Sequence, residues 1–313
     1  VFALDFNIII AHRGSALGLW ATVHSCEIDL SDPRCKYSYQ YRIVTNGEAK
    51  LDPDSQNIIN QLQKVGKLGY VHHSEQPLAP PTARQLATEG ADGAYLFFFD
   101  NHCLVTRDYF RRAMFDFETY GMDMLHSTTR YFPGEPENYH YTLTLDKNFW
   151  TGQCATLPDI AHKPYPIAMG GHGGFAVKRS VWEEVGGYWT GFQGYGGEES
   201  YFDLKMAMLD KTNYLDPYLA HWHYAGTRPY RRHFTDDYYR NMMMCANIIG
   251  GPHWMYRVYE NFAKSTKFPG KSIFALLEDA QTRSAEHAAW FAAKRHRTLE
   301  EQLVWFSDNN ISH

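Results

Sequence analysis

The sequence predicts an α/β protein, a mostly parallel sheet flanked by helices, with a helical extension at the C-terminal end. Three observations carry this expectation. Strand and helix patterns alternate through the first hundred residues. Within that alternation stands the unbroken apolar run Ala94-Tyr95-Leu96-Phe97-Phe98-Phe99, the pattern of a strand covered on both faces. From about Asp236 onward the pattern is helical. The expected division is therefore an α/β unit over 1–235 and a helical extension over 236–313.

In chain order, Asn7 to His12 reads as a short buried strand. Ser15 caps a helix whose apolar residues are Leu19, Trp20, Val23 and Ile28. Tyr37, Tyr39, Tyr41 and Ile43 alternate along a second strand ending at Asn46-Gly47. Asp52-Pro53 starts a helix, with proline at its first position and Ile58, Ile59, Leu62 and Val65 as its stripe. Tyr70 to His72 is a third strand. A proline-rich loop and a helix from Ala83 to Glu89 follow, closed by Gly90 and Gly93. The apolar run then forms a central strand. Tyr131 to Pro166 has weak periodicity. Met169 to Val177 resumes the α/β pattern, Ser180 and Glu183 read as a capping box, and Gly186-Gly187 stops that helix. Glu198 and Glu199 open a helix with Phe202, Met206 and Leu209 as its apolar face. In the extension, Phe274, Leu277, Leu299, Leu303 and Trp305 fall in helical patterns, with a capping box at Thr298 and Glu301.

Bulk properties narrow the function. The chain has 313 residues, 44% hydrophobic and 21% charged, as in ordinary globular proteins. Its net charge of -5 argues against broad binding to nucleic acid. The five cysteines are scattered, with no CxxC pair, so neither a disulfide framework nor a zinc knuckle is indicated. No apolar run reaches the roughly 18 residues of a bilayer span, and a cytoplasmic location is expected, allowing for an upstream targeting segment.

Three constellations carry chemistry. Asp100-Asn101-His102 directly follows the central strand, at the carboxyl end where open α/β sheets bind ligands. A carboxylate and an imidazole two residues apart can face one divalent metal ion. His221-Trp222-His223 offers a third ligand from one of its two histidines. Gly194-Tyr195-Gly196-Gly197-Glu198-Glu199 combines a flexible approach with two carboxylates at a helix N-terminus, where the dipole favours their charge and keeps them ionised, as a general base must be.

The segment from Ala83-Arg84 to Phe99-Asp100 resembles the large inverting glycosyltransferase family of the GT-A fold, which has an Ala-Arg-Asn helix, an Ala-x-Gly turn, an apolar strand and a metal-binding Asp. The order Asp-x-His, Gly-Gly-Phe-Ala, Gly-Gly-Glu and a later His is similar to the polypeptide N-acetylgalactosaminyltransferases. The resemblance spans roughly residues 6 to 235. It implies metal ligation by Asp100, His102 and His223, donor-sugar contact at Gly173 and Gly174, and an acceptor-side place for Glu198. Tyr195 stands where Trp is common. Glu199 is neither the Asn of retaining relatives nor the Asp base of inverting ones, so the stereochemical outcome stays open. These 313 residues show no match to the lectin-like repeats of many animal members, so the resemblance does not imply a mucin-type enzyme.

The expected activity is transfer of a sugar from a nucleotide-diphosphate sugar, a UDP-sugar, to an acceptor hydroxyl with Mn²⁺ (or Mg²⁺) as cofactor. Glu199 is the expected base and Glu198 the acceptor contact. His12, Arg13, Asn46 and Arg84 are expected at the donor, and Arg228, with Arg231, Arg232 and His233, closes over the diphosphate. The acceptor is left open among glycan, protein, small molecule and modified DNA base. The alternatives are a sugar-phosphate nucleotidyltransferase, for which Ala11-His12-Arg13-Gly14-Ser15 is too short a loop, and a non-catalytic carbohydrate-binding protein.

Overall fold

The protein is seen in a computed structural model that describes residues 4–47, 50–132, 139–140, 155–156, 163–224, 236–264 and 272–311. In chain order the elements are β1 (Phe6–His12), α1 (Ala16–Leu30), β2 (Tyr39–Asn46), α2 (Pro53–Lys64), β3 (Leu68–Ser74), α3 (Pro80–Thr88), β4 (Tyr95–Asp100), β5 (Cys103–Val105), α4 (Tyr109–Tyr120) and β6 (Met124–Phe132). They continue as β7 (Tyr139–His140), β8 (Ala155–Thr156), β9 (Tyr165–Pro166), β10 (Gly174–Lys178), α5 (Arg179–Glu184), α6 (Glu198–Met208), β11 (Asn213–Tyr224), α7 (Asp236–Gly250), α8 (Pro252–Ala263), α9 (Ile273–Ala292) and α10 (Leu299–Asp308).

Nine strands form one sheet in the order β3-β2-β1-β4-β10-β6-β11-β5, with β9 on β11; β7 and β8 pair with each other. β1 to β4 are mutually parallel, β10 runs antiparallel between β4 and β6, and β11 lies parallel to β6. The apolar run is central, as its composition requires, with Leu96, Phe97, Phe98 and Phe99 fully buried. Alternate side chains serve opposite faces. Phe97 and Phe99 join Ile8, Ile10 and residues of α1, α2 and α4. Leu96 and Phe98 join Ile9 and residues of α3 and α5 to α10. On that second face Phe98 stacks on Phe175 at 4.5 Å. Each such ring, fully buried, contributes about 1.5–3 kcal/mol.

The second face decides what residues 236–313 are. Met243, Met244, Cys245 and Ile248 of α7 belong to one continuous core with Phe175 of β10 and Phe202 of α6. The C-terminal helices therefore cover one face of the sheet rather than enclose a core of their own. Leu277 and Leu299 are buried and Leu303 packs against them, whereas Phe274 and Trp305 face outward.

Several local expectations change. α1 buries Leu19, Val23 and Cys26, but Trp20 and Ile28 are exposed and Trp20 stacks on His24 at 4.6 Å. The residues at helical spacing from Leu19 face the sheet, and a neighbouring apolar residue lies outside that arc. Val65 is likewise exposed at the end of α2. Ser180 is no cap. α5 begins one residue earlier, behind Lys178, because β10 runs straight into it and no side-chain cap forms. α6 is buried from Ser200 to Met208, not along one stripe, since it lies between the sheet and α7. The caps at Ser15, Asp52 and Thr298 are present, the last as a full capping box. Cys26, Cys35, Cys103 and Cys245 are free thiols. Among the described residues no helix is long and apolar enough to cross a membrane.

Candidate active site

Asp100 ends β4, and the chain turns through Asn101 and His102 into β5, which pairs antiparallel with β11. The register sets Cys103 opposite His223, and the Tyr224 N–H donates to the His102 carbonyl at 3.0 Å. Two segments more than a hundred residues apart thus present three ligand groups to one point. Nε2 of His102 and Nε2 of His223 are 3.0 Å apart, and Asp100 Oδ2 lies 3.3 Å from His223 and 3.9 Å from His102. Ligand atoms of Asp100, His102 and His223 all fall within 4.8 Å of one another. His221, two residues before on the same strand face, is fully buried. Burial lowers its pKa to about 3, and Ser127 Oγ holds its Nδ1 at 2.8 Å. Of the two histidines, the structure therefore brings His223 to the cluster.

The donor set fits a divalent metal. A chain of hydrogen bonds fixes the tautomer of His102. The Asn101 carboxamide nitrogen donates to His12 Nδ1 at 2.9 Å, so its oxygen faces His102 and accepts the Nδ1–H at 3.1 Å. Nε2 of His102 is left with its lone pair toward Asp100 and His223, the state a metal ligand needs. His12 is itself neutral, since burial lowers its pKa to about 4 against the opposing charge of Asp52, and its Nε2–H donates to Ser55 Oγ at 3.1 Å. Burial works to raise the Asp100 pKa, but the His223 contact and the Arg84 charge hold the carboxyl well below the usual range. Arg84 pairs with Asp100 Oδ1 at 2.8 Å.

A cavity of about 580 Å³ opens beside this cluster. Arg13, Asn46, Asp100 and His102 line it from the sheet, Tyr195 from the glycine loop and Asp237 from α7. Of the residues expected at the donor, Arg13 and Asn46 reach the cavity. Asn46 is mostly committed elsewhere: its amide donates to the His12 carbonyl at 3.2 Å and its oxygen accepts from the Leu78 N–H at 3.0 Å. His12 and Arg84, also expected at the donor, do not line the cavity and stand behind it as braces. Both are buried, His12 behind Asn101 and Arg84 between Asp100 and the His172 carbonyl, which accepts from it at 2.8 Å. Gly173 and Gly174, expected at the donor sugar, come close to the histidines of β11. A Cβ on Gly174 would stand 2.7 Å from His221 Nδ1, and one on Gly173 3.2 Å from the His223 ring. They let the chain entering β10 come close to the histidines of β11. Arg228, Arg231, Arg232 and His233 lie outside the described residues.

In the glycine loop, Gly194, Gly196 and Gly197 have φ of 68°, 112° and 82°, and α7 packs directly on them. The two carboxylates then part company. Glu199 is half-buried and its Oε1 accepts the His172 N–H at 3.1 Å. Glu198, expected on the acceptor side, is 3% exposed and folds back to accept the Gly196 N–H at 2.9 Å, which braces the loop. The helix dipole does not keep it ionised. Burial, reinforced by the Glu199 charge, pushes its pKa up to about 7.

Sequence reasoning missed His126, His172, Asp203, Asp237 and Asn241. His172 left a signal, the one bulky side chain inside Gly170-Gly171-His172-Gly173-Gly174. Asp237 and Asn241 left none, because their importance comes from α7 lying on the loop. Asn241 donates to the Gln193 carbonyl at 2.7 Å.

A mixed sheet that ends its central strand in an Asp-x-His ligand pair, with a cavity at that strand's carboxyl end, has the architecture of a GT-A nucleotide-sugar glycosyltransferase. The chain belongs to glycosyl transferase family 2, whose sequence pattern matches residues 8–186, more than half of it. No curated protein matches it. Among solved structures, GalNAc-T7 with UDP, GalNAc and Mn²⁺ is similar at a TM-score of 0.69 and 17% identity, over 93% of this chain and 56% of that one. The chain thus spans little more than half the length of that relative. S. aureus TarS 1-349 is similar at a TM-score of 0.53 and 11% identity, over 94% and 93%, and its complex with UDP-GlcNAc at 0.52 and 13%, over the same shares. At these identities the likeness is one of fold. Family membership sets the nucleotidyltransferase and non-catalytic alternatives aside.

Proposed function

We propose that this chain transfers a sugar from a UDP-sugar to an acceptor hydroxyl, with Mn²⁺ held by Asp100, His102 and His223. The observation that carries this reading is the convergence of those three ligand atoms at the carboxyl end of β4, against the 580 Å³ cavity. UDP and Mn²⁺ in the GalNAc-T7 structure, and UDP-GlcNAc in a TarS structure, support the choice of donor and metal. A divalent ion bound there supplies Lewis-acid stabilisation of the charge that grows on the leaving diphosphate.

The protein's own residues do the rest. Asn101 and His12 hold the His102 lone pair in place, and Arg84 fixes Asp100 as a carboxylate. The diphosphate lies along the cavity wall near Arg13, whose guanidinium matches phosphate oxygens. Glu199 takes the acceptor proton: its Oε1 is steadied by the His172 N–H, and its other oxygen is the base. The product then has inverted anomeric configuration. The deciding experiment is a UDP-sugar turnover screen with Mn²⁺. Turnover should vanish on thorough chelation and return with Mn²⁺ better than with Ca²⁺, because imidazole ligands suit transition metals. Undiminished turnover in chelator, or in Asp100→Asn, would sink the reading.

A further inference from the structure

A second convergence of ligand groups lies in the core, apart from the cavity. His126 on β6, His172 in the turn before β10 and Asp203 on α6 have ligand atoms within 4.8 Å of one another, and all three are fully buried. Asp203 Oδ1 is 2.9 Å from His172 Nε2 and 3.6 Å from His126 Nε2. The edges of a tetrahedral site with bonds of about 2.0–2.1 Å are roughly 3.4 Å, between these two values.

The tautomers make the case sharper. A carbonyl oxygen only accepts, so the 3.3 Å contact of His126 Nδ1 with the Gly171 carbonyl puts the His126 proton on Nδ1. Its Nε2 lone pair then faces a carboxylate oxygen, and that buried nitrogen has no hydrogen-bond partner. A cation between these two electron-rich atoms offsets their repulsion in the core. Each ligand is also held from behind, as metal ligands are. The Gly171 carbonyl takes the His126 Nδ1–H, the Tyr188 hydroxyl meets His172 Nδ1, and the Gly170 N–H donates to Asp203 Oδ2 at 2.7 Å. Gly170 is glycine for the same reason: a Cβ there would stand 2.5 Å from the His126 ring.

We infer that His126, His172 and Asp203 form a second, structural metal site that takes a divalent transition ion of the zinc class. Two imidazoles and a carboxylate are zinc donors, and the carboxylate can bind through both oxygens to complete four. Phe175 and Phe202 wall the site with rings centred 4.5 and 6.0 Å from that of His172, so the ion is enclosed as the chain folds and serves no reaction. Its role is to pin the Gly170–Gly174 turn. That turn gives its His172 carbonyl to Arg84, its His172 N–H to Glu199 and its Gly173 carbonyl to the Asp100 N–H.

The test reads metal content, not turnover, and so stands apart from the proposed activity. A His102→Ala/His223→Ala variant, with the cavity ligands removed, is refolded with Zn²⁺, dialysed against chelator and analysed by elemental mass spectrometry. About one equivalent of zinc per chain should remain. Refolding with Co²⁺ should give the visible bands of a four-coordinate ion. Adding His126→Leu should remove both signals while circular dichroism reports a folded chain. Should that variant not fold, the Co²⁺ spectrum of the two-histidine variant decides alone. A folded protein without metal, or one whose metal survives a folded His126→Leu, overturns the inference.

Discussion

Asp100, His102 and Glu199 were all legible as residues before their surroundings were known, but their surroundings set how they work. Asn101 is the clearest case. Its side chain lies between His12 and His102 and decides which His102 nitrogen faces the metal. Asn101→Ala should leave the fold intact and weaken Mn²⁺ binding about 10–100-fold, the usual cost of losing an outer partner of a metal ligand; a Mn²⁺ titration by calorimetry checks it. Glu199→Gln keeps an acceptor for the His172 N–H but cannot take a proton. Turnover should fall about 10²–10⁴-fold with UDP affinity unchanged. Proton NMR of the first-formed product completes the test. Retained configuration, with the variant still active, would refute Glu199 as the base.

At the scale of elements, the glycine loop and α7 depend on each other. Gly197 has φ of 82°, and an added Cβ would stand 2.8 Å from the Asn241 carbonyl of α7. The backbone alone costs about 1–2 kcal/mol for a non-glycine residue there. The neighbouring atom is main chain, which cannot swing aside. Gly197→Ala should therefore lower unfolding stability by about 2 kcal/mol or more in urea titration, and lower turnover as well, since Glu198 and Glu199 begin at this residue. A variant with wild-type stability would show that the loop and α7 do not constrain each other. Nothing in the run Gly194 to Glu199 announces this. The left-handed turns could be read from the glycines, but the helix that makes them obligatory lies some forty residues further along the chain.

For the molecule as a whole, Glu198 couples the site to stability. Its folded pKa of about 7 exceeds the usual 4.5, so between those values the folded state keeps a proton that the unfolded chain releases. Stability from this group is complete below about pH 4.5 and is lost as pH rises through 7. Glu198→Gln keeps the bond from the Gly196 N–H without the buried charge. Its melting temperature should match wild type near pH 5 and exceed it at pH 8; equal losses in both proteins would argue that Glu198 is ionised throughout.

The amino-acid sequence by itself determined the alternation of strands and helices, the central place of Leu96 to Phe99 and the ligand pair at that strand's end, because these follow from local periodicity and from residue type. It could not determine which histidine of β11 completes the cluster, which is a matter of sheet register. Nor could it tell that Glu198 is buried while Glu199 is half-open, since both are first-turn glutamates until α7 covers one of them. The meeting of His126, His172 and Asp203 was equally hidden. Each comes from a different element, and only the packing of α6 across β6 and β10 brings the three together. Local chemistry is written in neighbouring residues, whereas burial and convergence arise from contacts between segments far apart in the chain.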